Sequence, residues 1–108
     1  MKARAYAEDK FWMKGGWEMF RFRKSVPLSY DRQGYIYFCS RIYKMLPRKK
    51  QERIKQICRD AGGEYHEALL EFVTGKLTAP EVCGKHFISQ ATLDRAVRRY
   101  YLSFPRDL

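Results

Sequence analysis

The chain has 108 residues, 45% of them hydrophobic and 16% aromatic, and it carries a net charge of +10. Its length and composition predict one compact domain and exclude a disordered tail. The basic excess favours polyanionic partners, nucleic acid before acidic membrane surfaces. Because no apolar run matches a membrane span and residues 1–10 lack a signal-peptide core, we expect a cytoplasmic protein with no membrane partner.

Residues 1–30 form an aromatic, basic N-terminal arm or a small hairpin. Apolar and charged residues alternate from Phe20 onward, as in a half-buried strand, and Gly15-Gly16 could be the hairpin turn. The alternative is an irregular arm held by its aromatic side chains. Thirty residues cannot bury a core alone, so we expect the arm to pack on the later helices or on a second copy of the chain in a homodimer. The aromatic residues concerned are Phe11, Trp12, Trp17, Phe20 and Phe22.

Helical spacing of apolar residues predicts two helices next. The first runs from Asp31 to Leu46, and the second follows Pro47, from Arg48 to Ala61. The predicted buried positions are Tyr35, Phe38, Cys39, Ile42, Tyr43 and Leu46 in the first helix and Ile54, Ile57, Cys58 and Ala61 in the second. The outer face of the second helix is basic, and a solvated face and a phosphate-contacting face are equally good explanations. Its basic residues are Arg48, Lys49, Lys50, Arg53, Lys55 and Arg59.

Gly62-Gly63 predicts a helix end, and a further helix runs from Glu64 to Thr74 before Gly75. We expect it to bury Ala68, Leu69, Phe72 and Val73. Acidic residues gather on one side of this region, which we expect to point away from nucleic acid; they are Asp60, Glu64, Glu67 and Glu71.

Residues 78–101 predict two helices joined by a tight turn. Thr78 is a suitable N-cap, Glu81 completes a capping box, and Pro80 is tolerated in the first turn. The first helix is expected to run from residue 79 to 87 and the second to start after the N-cap Ser89. The predicted buried residues are Val82, Cys83 and Phe87 in the first helix and Leu93, Ala96, Val97 and Tyr100 in the second. This is the pattern of a helix-turn-helix.

The stretch KHFISQATLDRAVRRYY resembles the recognition half of bacterial helix-turn-helix regulators, including sporulation-type regulators and the last region of sigma factors. Cys83, Ile88, Leu93 and Ala96 match the apolar positions of that family. One position departs: Phe87 stands where the family often has Gly or Asn, so either the turn is a variant or the register is shifted by one residue. A left-handed backbone there is costly for Phe.

The resemblance implies an all-α fold with a homeodomain-like core of three or four helices, an additional N-terminal helix and the arm. Residues 31–108 then form the helical domain. It also implies a sequence-specific DNA-binding protein, a transcriptional regulator, whose helix 89–101 enters the major groove of double-stranded DNA. We expect Gln90, Ala91 and Arg95 at base edges, with the other candidates at phosphates or beside them. Those others are Lys85, Ser89, Thr92, Asp94, Arg98 and Arg99.

Other functions fit the residues less well. A protein-interaction module using the aromatic arm and an accessory DNA-binding factor of a mobile element remain alternatives. His66 and His86 are the only general-base candidates besides carboxylates, and no nucleotide loop is present, so we expect neither an enzyme nor a cofactor. Cys83 and His86 have no second pair of ligands nearby, and the three cysteines fit reduced, buried thiols, so no metal site is expected.

Overall fold

The computed structural model describes residues 20–108, and this part of the chain contains five α-helices and no strand. The prediction of an all-α fold is therefore confirmed for these residues. Short 3₁₀ segments, Tyr43–Met45 and Gly63–Tyr65, follow the first and second helices. The helices are α1 (Tyr30–Arg41), α2 (Arg48–Gly62), α3 (His66–Thr74), α4 (Ala79–His86) and α5 (Gln90–Ser103).

Local capping explains where three of these helices begin. Ser29 accepts a hydrogen bond from the Arg32 N–H at the start of α1. At the start of α4, Thr78 and Glu81 form both bonds of a capping box. The Ser89 side chain accepts from the Thr92 N–H and begins α5. The capping predictions for the last two helices are confirmed.

The core lies where α2 packs against both α3 and α5. Each of these helices contributes the apolar stripe that its spacing predicts, and α4 adds Val82. Ile57, Phe72, Cys83 and Ile88 are half-buried at the edge of the core. The buried residues of the four helices are Ile54, Cys58, Ala61, Ala68, Leu69, Val73, Val82, Leu93, Ala96, Val97, Tyr100 and Tyr101.

The predicted apolar face of the first helix is confirmed only in part. Cys39, Tyr43 and Leu46 are partly buried and pack against the core. The fully buried residues of α1 are instead Gln33, Ile36 and Ser40, while Tyr35 and Ile42 remain 40% and 41% exposed. Hydrogen bonds explain this choice, because buried polar groups are tolerated when they are paired. The Gln33 amide bonds to the backbone of residues 23–28, and the Ser40 hydroxyl lies 2.6 Å from the Tyr100 hydroxyl in α5.

The N-terminal arm is described only from Phe20. The hairpin predicted at Gly15-Gly16, and with it Phe11, Trp12 and Trp17, lies outside the described residues. From Phe20 to Leu28 the chain is irregular, so the strand predicted from Phe20 onward is absent there. Phe20 packs its ring against Tyr30 and Tyr37 of α1, with ring centroids 5.3 and 5.2 Å away. This part of the arm packs within the same molecule.

The predicted burial of Phe87 is also wrong. The helix α4 ends at His86, and Phe87 adopts a left-handed backbone (φ 56°, ψ 47°) with 94% of its surface exposed. The Ile88 N–H bonds to the Cys83 carbonyl across this residue, as in a Schellman helix end. That closure needs a positive φ at residue 87, which costs a non-glycine residue about 1–2 kcal/mol. The turn therefore lies at the predicted residues. Phe87 occupies its left-handed position despite the conformational free energy that this costs.

Candidate nucleic-acid interface

The helix α5 has one buried face and one exposed face. Leu93, Ala96, Val97 and Tyr100 are each at most 2% exposed, so the inward face is fully occupied by the core. At 100° per residue, the opposite face is centred on Ala91, and residues four, seven and eleven positions later share it. The residues that α5 presents outward are therefore Ala91, Arg95, Arg98 and Leu102.

Three predicted base-contacting residues lie together at the start of α5. Gln90, Ala91 and Arg95 are all exposed. The side chains of Gln90 and Arg95 make no hydrogen bond or ion pair with any residue from 20 to 108, so their donors are available to a partner. No acidic residue occupies the first turn of α5, which leaves the positive end of the helix dipole uncompensated. An anion such as a phosphate is favoured at this end.

The hydroxyl groups of Ser89 and Thr92 are coupled. Ser89 Oγ accepts from the Thr92 N–H at 3.1 Å and donates to Thr92 Oγ1 at 2.9 Å. The Ser89 proton is thus used inside the cap, whereas the Thr92 hydroxyl keeps its own proton to donate. Of the two residues predicted to donate to phosphate, Thr92 is the one that the geometry leaves able to do so.

Gln90 and Asp94 lie on the flank of α5 that borders an open cleft of about 640 Å³. Arg21, Arg23 and Arg41 also line this cleft. Asp94 forms no ion pair among the described residues, and its charge is the only acidic one in the cleft lining. The cleft therefore extends the basic character of the surface next to the first turn of α5.

Two of the predicted arginines are held by backbone carbonyls. Arg98 Nη1 donates to the Ser25 carbonyl at 3.2 Å, and Arg99 Nε donates to the Ala61 carbonyl at 2.7 Å. Arg98 thereby ties the N-terminal segment to α5, and Arg99 satisfies a carbonyl near the C-terminal end of α2. Both side chains keep further N–H groups for another acceptor, because a guanidinium has five.

Lys85 is part of a charge cluster that the sequence did not predict. Lys85 Nζ lies 2.8 Å from one carboxylate oxygen of Glu71, and His86 Nε2 lies 2.7 Å from the other. The hydrogen bond from Lys85 and the one from His86 lower the pKa of the Glu71 carboxyl below its ordinary value. The pairing therefore stabilises the fold at pH values above the ordinary pKa of a glutamate. That stabilisation is lost as the pH falls through the lowered pKa of Glu71.

One residue of the predicted acidic side, Glu71, does not point away from the candidate interface. Glu71 instead contacts the last turn of α4, next to the turn that leads into α5. Its carboxylate offsets part of the Lys85 charge. Lys85 therefore attracts an anion less strongly than an unpaired lysine would. His86 bridges α4 to α3 through the same carboxylate.

The basic outer residues of α2 lie at the far end of α5. The pairs Arg53–Asp107 and Arg99–Ala61 show that α2 and α5 run antiparallel. The first turn of α2, from Arg48 to Lys50, is therefore beyond the C-terminal end of α5, and the rise of α5 alone separates it from Gln90 by at least about 20 Å. These exposed cations form a second basic area, separate from the first turn of α5.

The cysteines of the described residues are all free. Cys58 is buried, and burial raises the pKa of its thiol to about 12, so this cysteine is not a reactive thiolate at neutral pH. Within residues 20–108, no cluster of three or more His, Cys, Asp and Glu side chains could hold a metal ion.

None of the helices between residues 20 and 108 has the length and apolar character needed to cross a membrane. Comparison of the chain with protein-family models, curated proteins and solved structures finds no match.

Proposed function

We propose that this protein binds double-stranded DNA through a helix-turn-helix formed by α4 and α5, with α5 in the major groove, and that it acts as a transcriptional regulator. The observation that carries the proposal is the first turn of α5. There, Ala91 projects outward and Gln90 is exposed on the adjoining flank, with Arg95 on the outer face one turn later. None of these side chains has a partner among the described residues, and the opposite face of the helix is fully buried.

The chemistry of these residues suits base edges in the major groove. A glutamine amide can pair with adenine through two hydrogen bonds, and an arginine guanidinium can pair with guanine in the same way. Ala91 is small enough to let the helix approach closely. Phosphates beside these three residues would be bound by the uncompensated N-terminal dipole of α5 and by the Thr92 hydroxyl. The net charge of +10 would add a general attraction to DNA.

Arg95→Ala is expected to relax base discrimination, since Arg95 is an exposed arginine with no described partner on the outer face of α5. The duplex is first selected from a random DNA pool, and the affinities for it and for single-base variants are then measured. We expect the variant to lose about 1–3 kcal/mol of discrimination at one or two base pairs.

Arg48→Ala is the matched control, because it removes the same charge from an exposed helix start at least about 20 Å away from Gln90. It is expected to lower the affinity for all DNA sequences equally and to reduce the salt dependence of that affinity at most slightly. A uniform loss for both variants would remove Arg95 from the base-contacting set. Absence of DNA binding even at low salt would exclude the function itself.

A further inference from the structure

Two features of Phe87, its backbone conformation and its exposure, are unfavourable for the stability of the free protein. A left-handed backbone disfavours every residue with a β-carbon, and for a bulky residue it is a genuine outlier. The Phe87 side chain is 94% exposed, more than any other large hydrophobic residue described. Its ring therefore contributes almost no hydrophobic free energy to the fold. Glycine or asparagine would meet the needs of this turn at a lower cost.

Packing among the described residues therefore does not explain why residue 87 is aromatic. No ring contact of Phe87 with another described aromatic residue occurs, and the closure of the turn uses only backbone atoms of Cys83, Phe87 and Ile88. Strained residues held in place by their surroundings are concentrated at functional sites. The side chain is available to a partner outside the described structure.

The position of Phe87 in the fold limits the kind of partner that its ring can contact. It precedes the N-cap Ser89 by two residues, so its exposed ring belongs to the turn that leads into the first turn of α5, where Gln90 and Ala91 are exposed. In the major groove the base edges carry hydrogen-bonding groups at every pair, and their only apolar group is the thymine methyl.

We propose that Phe87 is an apolar base-contacting residue that packs on a thymine methyl group at the edge of the bound site. This inference rests on the proposed function and adds a specificity that hydrogen bonds from Gln90 and Arg95 cannot supply. The ring is already in solvent in the free protein, so no buried contact of Phe87 has to be broken when it meets DNA.

The test is a stability and affinity comparison of Phe87→Gly with Phe87→Tyr, which keeps the ring. Phe87→Gly removes the backbone strain, so its melting temperature is expected to rise by roughly 4–8 °C. Its affinity for the selected duplex is expected to fall about tenfold. Phe87→Tyr should bind within about twofold of the wild type. Met45→Ala is the control, because Met45 is also highly exposed (81%) but lies in the 3₁₀ segment after α1; its DNA affinity should not change.

The thymine contact is tested on the DNA side. Replacing thymidine by deoxyuridine, one position at a time, removes only the methyl group. The wild type should lose about fourfold in affinity at one position, and Phe87→Gly should lose nothing there.

Equal affinities of Phe87→Gly and the wild type would overturn the inference, and so would a fall in the melting temperature of Phe87→Gly. These results leave the proposed function standing if the wild type binds the selected duplex. If the wild type binds no duplex at all, the proposed function itself fails.

Discussion

Leu93→Ala is expected to destabilise the protein by about 2–5 kcal/mol. Leu93 is 2% exposed in the core, and alanine would leave a cavity as well as losing the transfer free energy of the removed methyl groups. The free energy of unfolding is measured by chemical denaturation followed by circular dichroism. Ile88 is only half-buried, so Ile88→Ala is expected to cost less.

Leu102→Ala is the matched control for this prediction. It makes the same chemical change on the same helix, but Leu102 lies on the outer face and is 46% exposed. We expect it to cost less than about 1 kcal/mol. Equal losses for the two variants would mean that the register of α5 is wrong, and the assignment of Ala91 and Arg95 to the outer face would be wrong with it.

Gln33→Leu is expected to cost about 2 kcal/mol or more, although leucine is apolar and similar in size. The Gln33 amide donates to the carbonyls of Arg23, Val26 and Leu28 and accepts from the Arg23 N–H. Leucine would leave these backbone groups without that partner, and a buried unsatisfied polar group costs about 1–3 kcal/mol. Hydrogen exchange at residues 23–28 should increase together with the loss in unfolding free energy.

Gln56→Leu is the corresponding control, because Gln56 is exposed on α2 and, among residues 20–108, its side chain bonds only to the side chains of Asp60 and Arg59. Its expected effect on stability is within about 0.5 kcal/mol. If Gln33→Leu were equally neutral, the Gln33 network would not be what fixes the N-terminal segment on α1.

Local sequence signals predicted most of the helical domain. The capping box of Thr78 and Glu81, the N-cap Ser89 and the helix end at Gly62 each depend on residues within four positions, so they can be inferred without a fold. The buried stripe of α5 was predictable for the same reason. These features also place Ala91 and Arg95 on the exposed face, with Gln90 on its flank.

The features that were missed depend on distant neighbours. Burial of Gln33 requires the backbone of residues 23–28, and Ser40 pairs with Tyr100, 60 residues away. The Lys85–Glu71 pair joins two helices. Phe87 was expected inside because large apolar residues are usually buried, yet the turn geometry holds it in solvent. The signal available beforehand was a phenylalanine at a position where glycine is common.

The most direct test of the central claim is an amide chemical-shift map of the protein titrated with the selected duplex. We predict that the shifts concentrate from Lys85 to Arg99, strongest at the turn and the first turn of α5, with weaker changes near the arginines of the adjoining cleft. Shifts confined to the basic outer face of α2 would contradict the account, because DNA would then be bound by charge alone, at a surface about 20 Å away from the first turn of α5. An unchanged spectrum at low salt would contradict it as well.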